Sequence, residues 1–180
     1  MLRIDATVLH QPALAALGWR LDTQIVIASL FDERPADGIS IGWGVVPSPA
    51  LFLTREVVDI DSPVFEDGIR ATLALALDVF SSNVKLSRNS TVLETSVASV
   101  TLLRPRERRT LDIAIEWRPT NVLSATVTDN SNGLLLYNRS TMFTGTPIAS
   151  ANASWVFGSR EGSTRMAATV RAVSLSVMAP

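Results

Sequence analysis

The sequence predicts an all-β protein, a single two-sheet antiparallel sandwich. Three observations carry that expectation. Apolar residues recur with a period of two rather than 3.6, they do so in many short runs, and turn-forming residues separate the runs. Nine glycines and nine prolines punctuate the 180 residues.

The clearest stretch is central. Leu111, Ile113, Ile115 and Trp117 alternate with Asp112, Ala114 and Glu116, so one face of a strand is apolar. Arg118-Pro119-Thr120-Asn121 reads as a turn, and Val122–Thr128 as the next strand. Asp129-Asn130-Ser131-Asn132-Gly133 is a second turn, because these residue types tolerate a positive φ. Leu134–Tyr137 then completes a three-strand meander. The predicted core face, Leu111, Ile113, Ile115 and Trp117, packs against Leu75 and Leu77 or their neighbours on the opposite sheet.

The other predicted strands are Leu2–Leu9, Trp19–Leu30, Ile39–Val46, Ile69–Phe80, Thr91–Leu103, Ser154–Gly158 and Met166–Met178. In Ile69–Phe80 leucine alternates with alanine, which suits a strand covered on both faces. The same residues are good helix formers, and a helix is the competing reading. Gln11–Leu17 is compatible with a short helical turn. No repeat or linker divides the chain, so residues 1–180 are expected to form one domain.

Composition narrows the function classes. Hydrophobic residues make up 47% and charged residues 18%, and the mean hydropathy is +0.26, which excludes a disordered chain. A formal net charge of −1 supplies no overall field for nucleic acid or acidic membranes. There is no cysteine, and His10 is the only histidine. Thiolate chemistry and cysteine zinc sites are therefore out, and a histidine triad has little material. The stretch Gly38–Thr54 is uncharged but contains Gly42, Gly44, Pro47 and Pro49, against a membrane helix. Met1–Leu9 lacks the apolar core of a signal peptide. The two termini suggest a domain cut from a longer protein. The compartment is open, and a cell-surface or extracellular setting is favoured for such a domain.

Three ordered segments carry a resemblance. Pro35-Ala36-Asp37-Gly38-Ile39-Ser40-Ile41 is similar to an Ala-Asp-Gly-Ile/Leu-Ala-Phe strand start. Leu73-Ala74-Leu75-Ala76-Leu77-Asp78-Val79-Phe80 is similar to Val-Ala-Val-Glu-Phe-Asp-Thr-Phe. Trp155-Val156-Phe157-Gly158-Ser159-Arg160-Glu161-Gly162 is similar to Val-Gly-Phe-Ser-Ala-x-Thr-Gly. Together they resemble the concanavalin A-like lectin/glucanase superfamily, in particular L-type (legume-like) lectin domains and their microbial relatives. The resemblance implies a concanavalin A-like jelly-roll sandwich.

It also implies a site. In the family, the Asp of Ala-Asp-Gly hydrogen-bonds sugar hydroxyls, and Asp37 matches it, with Gly38 following. The family's Glu-x-Asp pair grips a transition metal and calcium. Asp78 matches the Asp, but Ala76 stands where the Glu would be. The family's later Asn falls on Ser82, with Asn83 one place on, and its later Asp falls on Ser87. Lys85 and Arg88 add positive charge, whereas a hard cation wants several oxygens and net negative charge. No cofactor is therefore expected; calcium at Asp78 is the one ion the resemblance leaves room for.

Each candidate has a plainer structural reading. Asp37 can simply start a strand, and Asp78 can bond loop amides. Trp43 and Trp155 can stack on a sugar or fill the core. Asp59, Asp61, Glu66 and Asp67 read as a solvated acidic loop rather than paired carboxylates, since the glucanase pattern Glu-x-Asp-x-x-Glu is absent. Arg104-Pro105-Arg106-Glu107-Arg108-Arg109 reads as a polar hairpin loop, because nucleic-acid binding wants interleaved aromatics. Asn89, Asn138 and Asn152 begin glycosylation sequons that matter only on a secretory route.

The expectation is a non-catalytic, lectin-like binding or adhesion module that uses Asp37, Gly38, Trp43 and Asn83 at one edge of the sandwich. Its expected partner is a carbohydrate or glycoprotein, with no nucleic acid and no membrane insertion. The alternative is a structural or assembly module whose sugar site has decayed.

Overall fold

A computed structural model describes residues 2–5, 18–29, 32–33, 35, 38–45, 73–88, 91–98, 100–142, 153–160 and 166–178. Among the described residues every regular element is a strand, and no helix is long and apolar enough to cross a membrane. The strands are β1 (Leu2–Asp5), β2 (Gly18–Ser29), β3 (Gly38–Val45), β4 (Leu73–Asp78), β5 (Asn83–Arg88), β6 (Thr91–Val97), β7 (Arg108–Arg118), β8 (Val122–Asp129), β9 (Leu134–Met142), β10 (Ala153–Arg160) and β11 (Met166–Met178).

They form two antiparallel sheets. The six-stranded sheet runs β1-β10-β3-β4-β5-β6, and the five-stranded sheet runs β11-β2-β7-β8-β9. The meander β7-β8-β9 is as the sequence predicts, with Ile115 opposite Ala125 and Ala125 opposite Arg139. The stretch with helical propensity is strand β4, and Leu73 to Leu77 are buried on both faces. Burial on both faces outweighs the modest helix preference of Ala and Leu.

The core lies between the sheets. Leu111, Ile113, Ile115 and Trp117 are all buried in it with Leu75 and Leu77. Ile115 and Leu75 line a common interior gap of about 10 Å³, so the predicted facing is correct. Trp19 from one sheet meets Trp43 and Trp155 from the other, with ring centroids 5.0–5.6 Å apart. Tilted and edge-on rings at this separation add to the area they bury.

One side of the sandwich is closed by charge instead of hydrocarbon. Glu94 of β6 points inward and meets Arg139 of β9 at 3.1 Å. Thr141 donates to the same carboxylate at 3.3 Å. This links the last strands of the two sheets.

Two strand expectations need correction. Thr91–Leu103 is not one strand: β6 ends at Val97, and Leu102 and Leu103 reach the core from irregular chain. Asn83–Arg88, read as loop, is strand β5, because Val84 and Leu86 alternate inward with Lys85 between them. The expected helical turn at Gln11–Leu17 lies outside the described residues, as do residues 6–9 and 69–72 of the predicted strands.

Candidate functional site

Three candidate residues, distant in sequence, come together in one row. In the ladder Gly38 is opposite Asp78, and Asp78 is opposite Asn83. Neighbouring strands are about 4.8 Å apart, so the row spans roughly 10 Å. Residues facing each other across a ladder share a sheet face. Gly38, Asp78 and Asn83 therefore lie on the face turned away from the core, into which Ile39, Leu77 and Val84 point.

Gly38 is there for space. A Cβ at this position would stand 2.1 Å from the carbonyl oxygen of Leu77, so β3 and β4 pair here only because the residue has no side chain. That explains the glycine of the Ala-Asp-Gly segment physically. Asp37 itself lies outside the described residues.

Asp78 closes the β4–β5 turn. Its Oδ1 accepts the backbone N–H of Ser81 at 2.8 Å. Its Oδ2 is 3.6 Å from the Lys85 ammonium, one row down on β5. Ser82 takes a positive φ of 57°, which turns the chain into β5. The carbonyl of Ser82 accepts from Ala98 N at 2.8 Å and its Oγ from Leu102 N at 3.2 Å. Asn83 is half-buried at the start of β5.

These residues do not fit the metal pair that the resemblance implies. Calcium needs several oxygen ligands and negative charge. Here one carboxylate oxygen is engaged by an amide, the other faces an ammonium, and the position of the partner carboxylate is Ala76, which is buried. Among the described residues no three acidic or histidine side chains gather.

Trp43 is a correction. It is 4% exposed, within the tryptophan cluster, and its ring cannot meet a sugar. Strand alternation decides this, since Trp43 falls on the inward parity with Ile39 and Ile41. The sequence reading missed Phe80. It stands two residues beyond Asp78 in the turn and is 49% exposed. An aromatic just past the end of a strand was the available signal.

No protein-family profile and no curated protein matches the chain by sequence. Solved structures do match by shape. Lectin II from Ulex europaeus aligns at a TM-score of 0.65 and 14% identity, covering 98% of this chain and 77% of that one. Arcelin-5, a lectin-like defense protein from Phaseolus vulgaris, gives 0.65 and 14%, covering 89% and 71%. The lectin from Bauhinia forficata in complex with GalNAc gives 0.64 and 15%, covering 91% and 74%. The chain has the concanavalin A-like fold of the L-type lectins.

Proposed function

We propose that this L-type lectin sandwich is a non-catalytic carbohydrate-binding module. The observation that carries the reading is the row Gly38–Asp78–Asn83 on adjacent strands, two matched positions and an asparagine one place from a third, with Asp37 next to Gly38 in sequence. Asp37 is the principal acceptor for sugar hydroxyls. Asn83 supplies a second polar group, and exposed Phe80 the apolar wall expected of such a site. The turn is held without metal, by Asp78 on Ser81 and by Lys85. Solved neighbours include a lectin complexed with galactose and one with GalNAc, so these sugars are the first probes.

A glycan array followed by titration of native protein, Asp37→Ala and Phe80→Ala tests the reading. Affinity of the native protein should be weak, about 0.1 to 10 mM. Both variants should lose the hit, and chelator should not. Silence across a broad array moves the assignment to a structural or assembly module. That second reading has its own support: the outermost strands of the two sheets expose apolar side chains, Val92, Leu93 and Val97 on β6 and Leu135 and Met142 on β9.

A further inference from the structure

The five-stranded sheet turns its other face to solvent, and that face is divided by charge. Register places Gln24, Asp112 and Thr128 in one row, with Asp22, Ala114 and Thr126 in the next. Around these small and polar residues lies a depression of about 450 Å³. Four residues along β2, Ala28 is opposite Arg108. There a second depression of about 320 Å³ takes Arg106, Arg108, Arg171 and Thr169 into its wall. The two adjoin along β11, where Ala172 lines one and Arg171 the other.

Among the described residues, two of the three arginines have no carboxylate partner. Arg106 is paired with Asp32. Glu107, the acidic residue of that wall, is already used: Oε1 accepts from Arg109 at 2.7 Å and Oε2 from the amide of Arg104 at 2.7 Å. Among the described residues, Arg108 and Arg171 have no carboxylate partner, whereas Arg118 and Arg139 have one each and Arg20 and Arg109 two. Arg171 is also the residue a β-bulge throws out of the ladder, between Val170 and Ala172. The Thr23 hydroxyl pins that bulge by donating to the Ala172 carbonyl at 2.8 Å. Bulges re-aim side chains, and this one puts Arg171 in the wall of the depression.

We infer that this face is a second binding site, for an oligosaccharide carrying an oxyanion, a sulfate ester or a carboxylate, near one end. The fork of a guanidinium matches either oxyanion. Sugar hydroxyls then lie over the other half, where Asp112, Thr126 and Thr128 offer acceptors and hydroxyls. The Gln24 and Ala28 rows are about 13 Å apart, a span for an oligosaccharide and not a monosaccharide. A nucleic acid fits poorly. Among the described residues no aromatic side chain lines either depression, so these walls offer bases nothing to stack on. Asp112, which has no ion-pair partner among the described residues, would repel a phosphate in its half. The site does not rest on the loop reading above, since it lies on the other sheet.

The test is calorimetric titration, at low salt, with lacto-N-tetraose and its 3′-sulfated and 3′-sialylated forms. At least one charged form should bind about ten-fold or more tightly than the neutral parent, and which one does identifies the anion. Arg108→Ala with Arg171→Ala should remove that preference while circular dichroism stays unchanged, both side chains being exposed. Asp37→Ala should leave it intact. Equal binding of all three sugars, retention of the preference in the double variant, its loss in Asp37→Ala, or equal binding of a short oligothymidylate would each overturn the inference.

Discussion

Asp78 and Asp129 both end a strand and both turn a carboxylate back on the loop that follows. Asp129 does so in the interior. It is 3% exposed, Oδ1 accepts the Ser131 amide at 2.9 Å and the Ser131 hydroxyl at 2.6 Å, and Oδ2 lies 3.3 Å from Arg109 Nε. The loop ends on Gly133 at a φ of +69°, whose amide returns to the Asp129 carbonyl at 2.8 Å. Asp78 accepts one amide, stands 3.6 Å from Lys85 and is partly open to water. The β8–β9 turn is locked by a saturated, buried carboxylate. Among the described residues Asp78 has acceptor capacity left at the surface, which the proposed binding edge needs.

The sharpest way to break this contrast begins with Gly38. Gly38→Ala drives a methyl into the Leu77 carbonyl, and β3 must separate from β4. A loss of at least about 3 kcal/mol in denaturant unfolding is expected. A native-like midpoint would mean that the row is not held by close approach.

Next comes the pair of aspartates. Asp129→Ala removes three acceptor contacts at a buried site, and about 2 to 3 kcal/mol should be lost. Asp78→Ala should cost about 1 kcal/mol, one hydrogen bond's worth. Equal losses would erase the distinction between a structural and a spare carboxylate.

Tyr137 on β9 tests how dry the locked side is. Burial, then the nearby Glu94 charge, push its phenol up to about 12, against an opposing pull from Arg139. It is the only tyrosine, so absorbance near the phenolate band reports it alone. The folded pKa lies above the unfolded value of about 10. Stability from the neutral phenol is therefore complete below about pH 10 and is lost as the pH rises through about 12. Ionisation of the native protein at the unfolded value would show that water reaches the β6–β9 side.

Gly133→Ala is a smaller effect. Nothing stands within 4 Å of the added methyl, so only the left-handed backbone opposes it, at about 1 kcal/mol. The smallest expected change is none: chelator should leave the melting temperature where it is, because only a ligand bound to the native state shifts it. A fall on chelation would restore a metal to the open turn.

The meander, the sandwich and the inward face of β7 were legible in the sequence because strand alternation is a local signal, written every second residue. Asp78 as a strand-end carboxylate and Gly38 as a special position were legible too, each within its own motif. Trp43 was not. Its ring is equally plausible on either face until parity and the opposite sheet assign it to the core. Phe80 gave too little pattern, since one apolar residue in a turn has no period.

What the sequence alone determined is which residues alternate and where the chain turns, for these depend on neighbours a few positions apart. Only the tertiary structure decided the rest. It set Gly38, Asp78 and Asn83 in one row and turned Lys85 onto the carboxylate where the resemblance left room for calcium. It also set Arg171 and Arg108 in the wall of one depression. Those juxtapositions come from ladder register and bulge position, across a hairpin for Asn83 and Lys85 and between strands tens of residues apart for Gly38 and the arginines, and register is settled by the packing of whole faces.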